Sequence, residues 1–153
     1  MAEQIQVRDL ALSDYDLNLF ELLAQLTTAE KVSRDAFEKR FHEMYGDGDR
    51  GGKLDYQTVV AHDEQSNRLV GAATLLIQRK FIRSCGQAAH IEDVVVDNSM
   101  RGRGVGKRLI RTLVDRARRA DCYKVILDCA DHNLGFYESC GFKKKENQMA
   151  LYF

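Results

Sequence analysis

The stretch Val94-Val-Val-Asp-Asn-Ser-Met-Arg-Gly-Arg-Gly-Val-Gly-Lys107 passes from an apolar run into a turn with glycine at 102, 104 and 106. Arg101, Arg103 and Lys107 surround those glycines. Glycine lets backbone N–H groups approach a ligand closely. A helix opening there adds free N–H groups and a dipole end that favours an anion. The chemistry on offer is the holding of a phosphate or diphosphate. A Walker loop is excluded, because Gly102 and Gly106 stand one residue too close and Arg108 replaces the magnesium-binding hydroxyl. A dinucleotide fingerprint is excluded by the spacing Gly102-x-Gly104-x-Gly106. The pattern left is Arg-x-x-Gly-x-Gly, at Arg101, Gly104 and Gly106.

The elements that must position this turn follow from hydrophobic periodicity. Ile5 and Val7 alternate as a short strand. Ser13 reads as an N-cap, followed by a helix with Leu19, Leu22, Leu23 and Leu26 on one face, ending near Thr27-Thr28. Ser33 opens a second helix with Phe37, Phe41 and Met44, and Gly46 to Lys53 reads as a surface loop. Leu54–His62 and Leu69–Gln78 read as a hairpin around Asp63–Asn67. A basic connection, Arg79–Gly86, leads to a buried strand, His90–Asp97. After the glycine turn come a helix over 104–120, a strand over 124–129, a short helix over 132–139 and a last pair of strands from Gly141 to Phe153. The order is β-α-α-β-β-β-α-β-α-β-β. It predicts an α/β (α+β) fold, one mixed, mostly antiparallel sheet flanked by about four helices, in a single domain over 1–153.

The chain has 153 residues and zero net charge, unevenly spread. Residues 1–78 carry 8 basic and 14 acidic side chains, and residues 79–153 carry 15 and 9. The basic half suits a phosphate-bearing partner. The four cysteines form no Cys-x-x-Cys pair and the four histidines no His-x-x-x-His pair, so no metal site is expected. Asp47-x-Asp49-x-Gly51 lacks the acidic twelfth position of a calcium loop, where Thr58 stands. No apolar run reaches the ~20 residues of a membrane span, and Met1–Gln4 lacks a signal-peptide pattern. A soluble cytoplasmic protein with reduced thiols is the expectation.

Set between a valine-rich strand and an amphipathic helix, Arg101, Gly104 and Gly106 resemble the diphosphate signature of the GNAT acetyltransferases. Further strings resemble one branch of that family, the glucosamine-6-phosphate N-acetyltransferases. They are Leu26-Thr-Thr28, Arg79-Lys80, His90-Ile-Glu-Asp-Val-Val-Val96, Cys122-Tyr-Lys124, Leu127-Asp-Cys129 and Asn133-x-Gly-Phe-Tyr-Glu-x-Cys-Gly-Phe142. The resemblance implies acetyl transfer from acetyl-CoA to the 2-amine of glucosamine 6-phosphate, on the route to UDP-N-acetylglucosamine, in a homodimer with sugar sites near the subunit interface. It implies no metal, nucleic acid or membrane. Arg101, Gly102, Arg103, Gly104, Val105, Gly106 and Lys107 would hold the CoA diphosphate. Val94, Val95 and Val96 would pair with the pantetheine arm like an added strand. Asn133 and Tyr137 would face the cofactor. Glu92, Asp93 and Asp128 would address the sugar and its amine. Thr28, Lys80, Arg83 and Lys124 would surround its phosphate, some from the partner subunit. One departure stands out: the branch keeps a basic residue in its last few positions, and nothing basic follows Lys145 here.

Acyl transfer to an amine needs a neutral amine, aligned reactants, a stabilised oxyanion and a leaving thiolate. Alignment in a ternary complex needs no enzyme-bound intermediate. Cys129 and Cys140 are alternative nucleophiles, but neither has a neighbouring His. Asp93 and Asp128 suit amine orientation and proton acceptance, with Glu92 on sugar hydroxyls or as a relay. Neighbours on a strand face opposite ways, so Glu92 and Asp93 share one side only if a bulge re-aims one. Tyr137 is the candidate acid for the leaving sulfur. Backbone N–H groups near Val94 are the expected oxyanion donors. Two other readings stay open: a different amine acceptor such as a polyamine, an aminoglycoside or a protein N-terminus, and a non-catalytic module laying the Arg101–Arg119 helix on nucleic acid.

Overall fold

The computed structural model describes residues 5–46 and 55–153. Met1–Gln4, most of the expected surface loop and the expected strand start at Leu54 lie outside the described residues. Five strands form one sheet in the order β1-β2-β3-β4-β5: β1 (Ile5–Asp9), β2 (Tyr56–Asp63), β3 (Arg68–Arg79), β4 (Gln87–Val96) and β5 (Val125–Leu127). The first four are antiparallel neighbours and β5 joins β4 in parallel. The mixed sheet is as expected, with its parallel pair late in the chain.

β3 is apolar on both faces because both are covered. Val70, Ala73, Leu75 and Ile77 pack with Val105, Leu109, Ile110, Leu113 and Ala117 of α4 (Val105–Arg119). Leu69 and Ala72 pack with Leu19 and Leu22 of α1 (Leu19–Leu23) and Phe37 of α2 (Arg34–Tyr45). The buried positions of α4 recur at helical spacing, and each large one contributes roughly 1.5–3 kcal/mol of burial. Ser33 caps α2 as expected, accepting from the Ala36 N–H at 3.2 Å.

Three expectations are corrected. The helix expected from Ser13 is a 3-10 turn, Leu12–Asp16, followed by a separate α1. The turn's anchor is buried Asp14, which accepts from the Ala11 N–H at 2.8 Å and from both terminal nitrogens of Arg8 at 2.8 and 2.7 Å. Buried Asn18 breaks the run by bonding both ways with the Leu69 backbone of β3. The connection expected over 79–86 contains a one-turn element, α3 (Ile82–Cys85), in which Arg83, Ser84 and Cys85 all have positive φ. The final pair of strands is absent: residues 142–153 carry no strand, and no ladder joins them to the sheet.

Candidate active site

The glycine turn has the geometry its composition predicts. Gly102 and Gly104 sit at φ +78 and +79, a left-handed conformation that side chains rarely adopt. Nothing lies within 4 Å of where their Cβ atoms would be. Both glycines therefore serve the bend and an open face. Gly104 is the N-cap of α4, and no side chain caps that end. The first intrahelical bond runs from the Arg108 N–H to the Gly104 carbonyl at 3.1 Å. The N–H groups of Val105 to Lys107 are thus the orphan donors of the helix start. Arg101, Arg103 and Lys107 are exposed around them. An open glycine face, uncapped donors and three cations fit a diphosphate.

Gly106 has a different task. A Cβ there would stand 3.0 Å from Cζ of Phe136. This close approach seats α5 (Leu134–Ser139) against the first turn of α4. It carries Tyr137 to the same end of the sheet, with Asn133 exposed as the residue preceding α5. Tyr137 is buried, its ring edge-on to Phe136 and Phe142 at 4.9 and 6.2 Å. Its hydroxyl bonds to no described residue. Burial, then the neighbouring Cys129 and Cys140 thiols, pushes its pKa up to about 12.

β4 and β5 pair from Ala89/Val125 to Ile91/Leu127 and then part. From Glu92 to Val96, β4 remains paired with β3 but is open on its other edge. At the start of that opening the ladder skips: Thr74 opposes Glu92, but Ala72 opposes Val95. One extra residue is therefore inserted in β4, with Asp93 at φ +52. The bulge answers the question posed by alternation. Without it, Asp93 would share the face of buried Ile91; with it, Val94 and Val96 take the α4 side and Val95 the α1/α2 side. Glu92 and Asp93 are both left exposed at the cleft. Burial raises the pKa of Glu92, helped by Asp128 and then Asp93. Three carboxylates thus gather where the two strands diverge.

The expected phosphate ligands divide. Arg83 and Lys124 both approach the ring of Tyr123, at 5.2 and 5.8 Å from its centroid. Lys80 closes the same loop, its N–H donating to the Gly86 carbonyl at 2.9 Å. That cluster lies at the N-terminal end of β5, whereas Asp128 follows its C-terminal end. Four residues of extended chain separate Lys124 from Asp128, about 13 Å. Thr28 lies elsewhere, exposed in the segment between α1 and α2.

Sequence reasoning missed Gln25, Asp97 and the ring of Tyr123. Gln25 donates to Asp97 Oδ2 at 3.0 Å and accepts from the Asn98 N–H at 2.9 Å. Asp97 also accepts from Ser99 N–H and Oγ–H at 2.9 and 2.6 Å, and these bonds hold its carboxyl below the usual range. The Asp-Asn-Ser string signals that cap. Nothing local signals Gln25, whose partners are 72 and 73 residues away. An open concavity of about 510 Å³, lined by Ile5, Val7, Arg108 and Arg111 among others, holds none of the expected site residues.

Residues 18–142 match the acetyltransferase (GNAT) family. A glucosamine 6-phosphate N-acetyltransferase of Arabidopsis thaliana is 42% identical over 153 residues, covering 100% of this chain and 99% of its own. Glucosamine 6-phosphate N-acetyltransferase 1 of Oryza sativa subsp. japonica is 44% identical over 151 residues, covering 99% of this chain and 88% of its own. The crystal structure of the Arabidopsis thaliana enzyme superposes with a TM-score of 0.92 at 41% identity, covering 99% of both chains.

Proposed function

The chain belongs to the GNAT acetyltransferase family, within its glucosamine 6-phosphate N-acetyltransferases, and from that premise we propose how its residues transfer acetyl from acetyl-CoA to the 2-amine of D-glucosamine 6-phosphate. The observation that carries the reading is the parting of β4 and β5 beside three carboxylates, next to an uncapped helix start built for a diphosphate. Acetyl-CoA supplies the activated acyl group when bound. Residues 101–107 hold its diphosphate through backbone N–H groups, backed by the cations of Arg101, Arg103 and Lys107. The open edge of Val94–Val96 takes the pantetheine arm as an added strand, and Asn133 flanks it.

Transfer is direct, in a ternary complex. A sugar amine ionises near the ~8 of an α-amino group. Asp93 and Asp128 orient it, and the proton acceptance expected of them passes to Glu92, which both of them influence. The raised pKa of Glu92 brings it nearer that of the amine, which improves a general base. The Val94 N–H region polarises the acyl carbonyl. Tyr137 stays protonated across the physiological range. A thiol near ~8.5 is a stronger acid than a phenol at about 12, so Tyr137 supports the leaving sulfur by donating a hydrogen bond rather than by full proton transfer.

A second copy of the chain completes the site in this reading. Phe81, Met149, Leu151, Tyr152 and Phe153 are each at least 80% exposed, a large apolar cover for one chain to leave in water. The Arg83–Tyr123–Lys124 cluster gathers at the N-terminal end of β5, about 13 Å of backbone from its own Asp128. A homodimer lets the basic loop of one subunit meet the carboxylates of the other, and it supplies phosphate-binding charge where the C-terminus has none. In this reading residues 1–153 form one N-acetyltransferase domain, which acts in the cytoplasm on the route to UDP-N-acetylglucosamine. The test is a thiol-release assay with acetyl-CoA and glucosamine 6-phosphate, glucosamine or spermidine, beside a solution mass measurement. Fast release with the sugar phosphate from a dimer is expected. Faster release with spermidine would overturn the acceptor, and an active monomer would overturn the shared site.

A further inference from the structure

Gln25 is an exposed side chain that uses both ends of its amide on one distant place. Its Nε2–H donates to Asp97 and its Oε1 accepts from the Asn98 N–H. Asp97 directly follows β4 at the cleft and caps the turn Asn98–Met100, which leads directly into Arg101. Gln25 itself precedes Leu26-Thr27-Thr28, the segment that would face the acceptor. That segment has a second anchor farther on. The Tyr15 hydroxyl donates to the Val32 carbonyl at 2.8 Å, and Lys31 and Arg34 lie over the Tyr15 ring at 4.5 and 4.6 Å. Between the anchors, Leu26, Thr27, Thr28 and Glu30 are exposed. Thr28 is therefore carried on a span whose position is set at its near end by Gln25.

We infer that Gln25 is a positioning residue for the acceptor, fixing the Thr28 segment against the Asp97–Asn98 corner so that the acceptor side and the diphosphate turn keep one register. This rests on the functional reading above and on the phosphate contact that the family resemblance implies for Thr28. Folding has little need of the contact. It is solvent-exposed, whereas the same stretch is already tied to β3 through buried Asn18. Two exposed hydrogen bonds contribute little to stability, but they decide where a short polar span sits. Arg68, ion-paired with Glu21 at 3.3 Å, is the cation near Asp97, and it leaves the amide-to-carboxylate direction of the bond unchanged.

An exchange of amide and carboxylate tests the inference. Gln25→Glu keeps the acceptor for Asn98 but sets two carboxylates against each other. Asp97→Asn keeps an acceptor for Ser99 but sets two amide donors against each other. The double variant restores one donor and one acceptor. Each single change is expected to raise the KM for glucosamine 6-phosphate about tenfold, with kcat and the calorimetric acetyl-CoA affinity within about threefold and an unchanged melting temperature. The double variant is expected within about threefold of the unaltered enzyme, which ties the effect to the Gln25–Asp97 contact, whereas a merely structural role would lower the melting temperature of the single variants. Single variants with unaltered KM, or a double variant as impaired as the two singles combined, overturn the inference while wild-type turnover persists. Absence of wild-type turnover with glucosamine 6-phosphate instead overturns the functional reading and this inference with it.

Discussion

The donor and acceptor sides of the cleft are built by different means. Residues 94–107 are contiguous, and their binding groups are largely backbone: an open strand edge, two left-handed glycines and an uncapped helix start. Such a site is finished once the local chain is folded. The acceptor side proposed above draws on Thr28, Lys80, Arg83, Glu92, Asp93, Lys124 and Asp128, from separate segments, and all but Lys80 are exposed. Its recognition is by side chains, and its basic members stand apart from its carboxylates. The lesson is that a diphosphate cradle can be specified by a dozen neighbouring residues, whereas a small-sugar pocket needs the fold, and in this reading a second copy.

The sharpest way to break this contrast is at Tyr137, where the two sides meet. Tyr137→Phe should lower kcat by about 10²- to 10³-fold with both ligand affinities near normal in steady-state kinetics. An unchanged kcat would remove it from the reaction. On the donor side, Gly104→Val forces a branched residue into the left-handed region, at a cost of ~1–2 kcal/mol. Acetyl-CoA binding by calorimetry should weaken about 5- to 30-fold, with the sugar-phosphate KM little changed. On the acceptor side, Lys80→Ala should raise the KM for glucosamine 6-phosphate about three- to tenfold and leave turnover of unphosphorylated glucosamine unaltered. Equal loss with both sugars would detach Lys80 from the phosphate.

The smallest effects concern pH. Glu92 has a raised pKa in the folded protein, so it gains its proton at a higher pH than an ordinary glutamate when acid is added. The acid limb of kcat should therefore lie above the usual carboxylate range and vanish in Glu92→Gln, which is itself slow. Stability carries the opposite signature. The folded state holds that proton more tightly than the unfolded one, so stability falls as pH rises through the folded pKa. Glu92→Gln should accordingly melt slightly higher than the parent at neutral pH and equally near pH 4.

Much of the fold was legible because its signals are local. The apolar runs of β2 and β3, the stripe of α4 and the Ser33 cap are each written within a few neighbouring residues. The misread helix at Ser13 turned on buried contacts of Asp14 and Asn18, which substitute side-chain bonds for helical ones. The absent final strands show the other limit: the apolar run Met149–Phe153 suggests a strand but does not name the neighbour it needs. In the site, the glycine turn was readable for the same local reason. The side on which Glu92 and Asp93 face was not, since it depends on one inserted residue opposite Ala73.

The sequence by itself determined the donor side, because glycine spacing, a strand before it and an amphipathic helix after it fix backbone conformation over short range. It also carried the family, through strings that run in order along most of the chain. Only the tertiary structure decided that β4 bulges at Asp93, that α5 seats Tyr137 through Gly106, and that Gln25 reaches Asp97. Those are contacts between residues far apart in the chain. Their free energy depends on which surfaces the sheet brings within a few ångströms, and no spacing in the sequence records that distance.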